Sequence, residues 1–485
     1  MKQADQPYSL TETELRALAS LAEAERVVSE QEPNWPGWRF ADMPIALTSP
    51  HRRGYYLVYH GDLQPEAAEE VAEGVLFVPD DELPPDNRAV VFPLQQRPVG
   101  WIPLRWVGRT SSELQEFILR VCRLSFAAYF QERLQSQPNT GPDVDEDDGP
   151  AVHPEDTAIC HALSRLEAVL LAESMEEQSL SELTRLAKAF CLVRRERRVH
   201  YSESQMDREI QIEWDRGLGL YIECQILQQA AARRQKCHPI LTTVTGMVYW
   251  KDARPLLRAR LRGLRLSALA SDYGLRKRLP YLALGEALLL DRMNPDWKSD
   301  AGYVPMEFLL ERQFQYSGEQ EDDELLRQVY EKHDLATKLE EESARLRVLR
   351  KRRQKIEQQI LQSPGTLLTV DVSSLALKKV EQSQSKEEMV NEHLCLHEGD
   401  IIFHAGETRL EFQNCLVLED REHWLLQIRT PYRELQLLTE RGIHRTNRKA
   451  AFQDGFELEL PGIRIQARQG YVQAVEGGLY IKIER

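Results

Sequence analysis

The simplest candidate nucleophile is a cysteine set directly before an arginine. In "RVCRLSF" Cys122 precedes Arg123, and a neighbouring cation lowers a thiol pKa towards the reactive thiolate. The surrounding residues are mostly apolar, which fits an inert buried cysteine instead. His161 and Arg165, with Glu167 and Glu173, share the periodic stretch "AICHALSRLEAVLLAE". They offer a base and an acid, or an ordinary structural histidine on a helix. Cys122, His161 and the carboxylates of 207–223 are together the constellation open to a hydrolase. A metal has one candidate place: His393, Cys395 and His397 alternate in "NEHLCLHEGDIIFH", with His404 as a distant fourth. On a strand, residues two apart face one way, so the three side chains would converge. No group that would orient the imidazoles can be picked out, which favours a plain strand face.

Other chemistries lack their entry points. There is no P-loop, no G-x-G-x-x-G following a strand and no G-x-S-x-G elbow. The seven cysteines include no C-x-x-C pair, against both a disulfide framework and a cysteine-rich zinc module. A formal net charge of −15 repels phosphate backbones and disfavours nucleic acid. Two basic runs stand against that sign, "RLRVLRKRRQK" at 345–355 and "LVRRERRVHY" at 192–201. The first follows acidic residues along one helix, as the helix dipole favours, and reads as a solvated face. The second reads as a helix end. No apolar run is long enough to span a membrane, and the first residues have no signal-peptide pattern, so a cytoplasmic protein is expected.

The elements that must hold these residues predict an α+β protein. Residues 10–30 form an amphipathic helix, and short apolar runs broken by Pro, Gly and Asp follow as strands. A long helix over 111–136 carries Leu114, Phe117, Ile118, Val121 and Leu124 at helical spacing. The expected division is an N-terminal α+β region at 1–137, an acidic loop at 138–150 and a helical domain at 151–318. A charged helical connector at 319–362 and a small all-β domain at 363–485 complete it.

One helix poses its own question. "IEWDRGLGLYIECQIL", 212–227, places Arg216 before Gly217 and Gly219, each glycine weakening a helix by roughly 1 kcal/mol relative to alanine. Small residues there imply a close approach by another element.

Four segments in order, "RLEAVLLAE", "AFCLVRRERR", "DRGLGLYIE" and "YLALGEALLLDRMNPDWK", resemble a group of bacterial proteins predicted to be zinc-dependent peptidases of the gluzincin type. That family has an α+β start and a helix bearing H-E-x-x-H followed by an aromatic residue and Gln. A helical domain with an E-G-L-A-x-Y-x-E helix and a small β tail follow. The resemblance implies a zincin-like helical domain, yet the ligand positions depart from it. In "VCRLSFAAYFQE" they fall on Cys122, Arg123 and Phe126 in one register, or on Leu124, Ser125 and Ala128 in the other. The third ligand position is Arg216, whose guanidinium stays protonated and gives no lone pair to a metal.

The expectation is therefore a catalytically inactive, zincin-like pseudo-peptidase without a cofactor, serving as a binding, regulatory or scaffold component. Its cleft would be lined by Arg216, Glu213, Glu223 and Tyr221, with Arg216 taking a ligand carboxylate or pairing with Glu213 or Glu223. A protein or peptide is the expected partner, and an oligomer is compatible. An active hydrolase with a non-standard site and a purely structural assembly subunit are the alternatives.

Overall fold

The computed structural model describes residues 10–30, 35–49, 52, 54–65, 68–79, 89–135, 157–233, 236–269, 275–316 and 318–362. Beyond these it describes 366–371, 378–380, 386–389, 394–405, 408–420, 425–430, 437–438, 449–452, 456–460, 463–475 and 478–484. The acidic loop at 138–150 lies outside the described residues, as does His393. The chain divides into two compact units, Met1–Arg345 and Leu346–Arg485, and its fold class is α+β, as the sequence predicts.

The first unit opens with α1 (Glu12–Ser29), whose start is fixed chemically. Thr11 and Glu14 form a reciprocal capping box, and the Tyr56 hydroxyl donates to Glu14 Oε1 at 2.6 Å. One carboxylate thus closes the helix end and ties it to the sheet. The strands are β1 (Ile45–Ser49), β2 (Gly54–Val58), β3 (Glu69–Ala72), β4 (Val75–Pro79), β5 (Val90–Leu94) and β6 (Arg97–Pro103). They pair in the order β3-β4-β2-β1-β6-β5, with β1 and β6 parallel and the other pairs antiparallel. Alternation along the strands serves two faces. Ile45, Leu47, Tyr56 and Val58 enter the main core, while Ala46, Tyr55, Leu57 and Trp101 build a smaller core behind it.

Helices make the rest of this unit. They are α2 (Ser111–Gln135), α3 (Ala158–Glu176), α4 (Leu180–Arg198), α5 (Glu203–Ile212), α6 (Leu218–Arg233), α7 (Pro239–Thr245), α8 (Ala253–Leu269), α9 (Leu275–Met293), α10 (Met306–Glu311) and α11 (Glu319–Lys332). A 28-residue α12 (Leu335–Gln362) runs across the division between units. The main core is continuous from Ala17 on α1 to Val329 on α11. The regions expected at 1–137 and 151–318 therefore share one interior. At its centre Trp35 meets Phe126, Trp297, Phe130 and Tyr221 edge-on, at centroid separations of 5.0, 5.3, 6.1 and 6.4 Å. No helix among the described residues is long and apolar enough to cross a membrane.

The second unit is built of β7 (Thr366–Asp371), β8 (Lys378–Val380), β9 (Lys386–Met389), β10 (Leu394–Ala405), β11 (Thr408–Asp420) and β12 (Leu425–Thr430). β13 (Leu437–Leu438), β14 (Lys449–Phe452), β15 (Phe456–Leu460), β16 (Ile463–Ala467), β17 (Gln469–Val475) and β18 (Gly478–Glu484) follow. Its main path is β13-β15-β16-β11-β12-β7-β18-β17-β14, and β10 pairs with β11, β8 and β9. Period-two residues such as Leu368, Val370, Ile463, Ile465, Ile481 and Ile483 make its core.

Candidate functional site

The helix expected over 207–227 is not one helix. α5 passes into α6 through a five-residue π-turn, Glu213–Gly217, and such insertions are rare and frequently sit at functional sites. Gly217 shows what the turn accommodates: a Cβ there would lie 2.1 Å from Ala283 Cβ on α9. A Cβ on Gly219 would lie 2.6 Å from Arg123 Cγ on α2. The close approach implied by the two glycines is therefore made twice, by a helix on one side and by an arginine stem on the other. Helices α2 and α6 are neighbours.

The π-turn aims Glu213 into a buried array of eight ionisable side chains. α4 supplies Arg194, Arg197 and Arg198, and the carboxylates come from Glu167 (α3), Glu209 (α5), Glu213, Glu286 (α9) and Glu307 (α10). Arg194 donates through Nε to Glu167 at 3.2 Å and through Nη1 to Glu286 at 2.8 Å. Its Nη2 stands 3.0 Å from Glu213 Oε1, close enough for charge attraction though misaligned for a hydrogen bond. Arg197 bridges Glu167 and Glu209, each at 2.5 Å. Arg198 donates to Glu209 at 2.9 Å and to Glu307. Arg194 and Arg197 are at most 1% exposed.

Three guanidinium groups face five carboxyls, so full ionisation would leave two uncompensated negative charges in a buried array. The fold resolves the excess by holding protons. Burial, with Glu209 and Glu307 adding to it, pushes Glu213 up to about 7 against the pull of Arg194 and Arg198. Burial pushes Glu286 well above the usual carboxylate range, with Glu213 and Glu307 adding to it. Glu209 moves the other way: Arg197 and Arg198 outweigh its burial and hold it well below the usual range. Glu213 Oε1, Glu286 Oε1 and Glu307 Oε2 are buried and have no hydrogen-bond partner. Among the described residues, no group of three or more His, Cys, Asp or Glu is placed to hold a metal ion.

The predicted site residues are distributed differently. Arg216 is exposed on the π-turn, and the two carboxylates expected to pair with it are taken elsewhere. Glu213 belongs to Arg194 and Arg198. Glu223 lies 2.7 Å from Arg260 and 3.3 Å from Arg123, and Arg260 also reaches Glu116 at 2.6 Å. Tyr221 is buried and donates to Asp291 at 2.7 Å. The positions to which the resemblance would assign zinc ligands are packed. Phe126 joins the aromatic centre, Leu124 and Ala128 are buried in the core, and Ser125 accepts from Trp38 Nε1 at 3.2 Å. Cys122 is fully buried, and desolvation, with Glu223 and Glu23 adding to it, pushes its thiol far up. That is the reverse of an activated nucleophile, and the charge of Arg123 is directed to Glu223 instead. His161 is buried on α3, and Arg165 turns to Glu341, Glu342 and the carbonyls of Ala268 and Leu269. Cys395 and His397 lie on β10.

The buried array escapes the sequence reading, though a signal for it exists. Leu183, Leu186, Ala187 and Phe190 define the inward stripe of α4, and Arg194 and Arg197 continue that stripe at helical spacing. Glu286 likewise interrupts the inward stripe of Leu279, Leu282, Leu289 and Leu290 on α9. Charges on a core-facing stripe announce partners. Comparison of the chain with protein-family models, with curated proteins and with solved structures found no match.

Proposed function

We propose that the protein is a non-catalytic binding or scaffold component of the cytoplasm, acting on a protein or peptide partner. In this reading it keeps a zincin-like helix arrangement whose ligand positions have passed to packing and charge pairing. The observation that supports it most directly is Arg123. Its stem fills the space over Gly219 and its guanidinium faces Glu223; in one register of the resemblance Arg123 stands at a position of the H-E-x-x-H motif. A protonated guanidinium repels a divalent cation and donates no lone pair.

The test is metal content by mass spectrometry on protein purified without chelator, together with a peptide-library cleavage assay. No stoichiometric zinc and no cleavage are the expected results. One zinc per chain that persists in the His393→Ala, His397→Ala double variant, or cleavage abolished by a chelator, overturns the proposal.

A further inference from the structure

Helix α8 presents to solvent a row of arginines that its own packing does not use. Arg254, Arg258 and Arg262 follow one another at four-residue intervals, and all three are exposed. The helix contains no Asp or Glu, and like charges four apart repel along a helix. Among the described residues, no carboxylate pairs with any of the three. The other two arginines of α8 behave differently: Arg260 reaches in to Glu223 and Glu116, and Arg265 pairs with Glu176. The inward face is complete without the row. Leu256, Leu264 and Ala268 are buried in the core, and Gly263 lies against the Tyr281 ring.

Beside the arginines, on the adjoining strip of the same exposed face, stand the small or apolar residues Pro255 and Ala259 and then Leu266. Leu269 closes the row and is 74% exposed. We infer that the Arg254–Arg258–Arg262 row and its apolar flank are a docking surface for an acidic amphipathic helix of a partner protein. Carboxylates at i, i+4 and i+8 on such a helix repeat with the spacing of the row. Pro255 and Ala259 permit close approach, and the leucines receive the partner's apolar residues. A nucleic-acid backbone fits less well. It offers nothing to Leu266 and Leu269, and its length would carry it into the field of a chain with net charge −15. A bilayer would need the apolar stripe of the helix, which is buried. The inference goes beyond the proposed function and does not depend on any likeness to a peptidase.

The probe is a synthetic helical peptide with Glu at i, i+4 and i+8 and Leu on the adjoining strip, titrated into the full chain by calorimetry. A scrambled peptide of the same composition and a 20-nucleotide single strand are titrated in parallel. Saturable binding of the helical peptide at 50 mM salt, weakened at least tenfold by 300 mM salt and by R254Q/R258Q/R262Q, is expected. The scrambled peptide and the oligonucleotide should bind at least tenfold more weakly. A Leu266→Ser, Leu269→Ser variant should also lose affinity for the helical peptide, which a purely electrostatic surface would not. Absence of peptide binding, equal binding by the scrambled peptide, or an unaffected R254Q/R258Q/R262Q variant with a wild-type melt overturns the inference. Tighter binding of the oligonucleotide also overturns it and makes the row a nucleic-acid contact.

Discussion

Helices α4 and α8 each carry a cluster of arginines, and the fold uses them in opposite ways. On α4 Arg194, Arg197 and Arg198 meet glutamates from α3, α5, α9, α10 and the π-turn, while Arg185 and Arg195 pair on the surface with Glu182 and Glu311. On α8 three of five point outward and meet no carboxylate among the described residues. Arginine content therefore says little about function until the position of each residue on its helix is known. An inward arginine is bound into the structure by its neighbours, because an unpaired charge in the interior is costly. An outward row without partners has no such internal reason to persist.

The comparison breaks most visibly at Arg194. Arg194→Leu removes the cation shared by Glu167, Glu286 and Glu213, and it should destabilise the first unit by about 3–5 kcal/mol. A thermal melt followed by circular dichroism reads this as a large fall in midpoint. A midpoint within a degree of wild type would mean that α4 is no more committed than α8.

A second, smaller effect concerns pH. Glu213 is raised in the folded state, so its contribution to stability is fully present below the ordinary carboxylate pKa and is lost as pH rises through about 7. Glu286 has the same sign, and Glu209, which is lowered, loses its contribution only as pH falls. Glu213→Gln keeps the shape without the ionisation. Relative to wild type it should gain stability between pH 5 and pH 8, on the order of 1–3 kcal/mol, since each tenfold change in a protonation equilibrium is worth about 1.4 kcal/mol. Parallel melts at both pH values check this, and a pH-independent difference would remove Glu213 from the proton-holding array.

The smallest effect lies on α8. Arg258→Gln should change stability by no more than about 0.5 kcal/mol, and towards stabilisation, since it relieves repulsion within the row. Its melting midpoint should match wild type within error or exceed it. A clear loss would show that Arg258 has a structural partner and would erase the contrast with α4.

The architecture was legible where a single period governs a segment. α1 and α2 follow from apolar spacing, and the strands from short apolar runs separated by turn residues such as Pro, Gly and Asp. The two glycines at 217 and 219 correctly announced close packing. What approached them could not be read, since Ala283 and Arg123 are brought there only by tertiary structure. The π-turn was invisible for a related reason: one extra residue in a helical turn leaves the apolar pattern of Ile212, Trp214, Leu218 and Ile222 almost unchanged. Along that turn Glu213 is buried and Arg216 exposed, and the expected pairing between them is not formed. Cys122 and His161 are reactive by type, the sequence favours a structural setting for each, and both are buried.

The ring cluster around Trp35 has a spectroscopic consequence. Seven of the eight tryptophans, Trp35, Trp38, Trp101, Trp106, Trp214, Trp250 and Trp297, belong to the first unit, and only Trp424 to the second. Trp35, Trp38, Trp101, Trp250 and Trp297 are each at most 5% exposed. Indole emission from the native first unit is therefore blue-shifted. A red shift of these buried indoles on heating or in denaturant reports the opening of that unit.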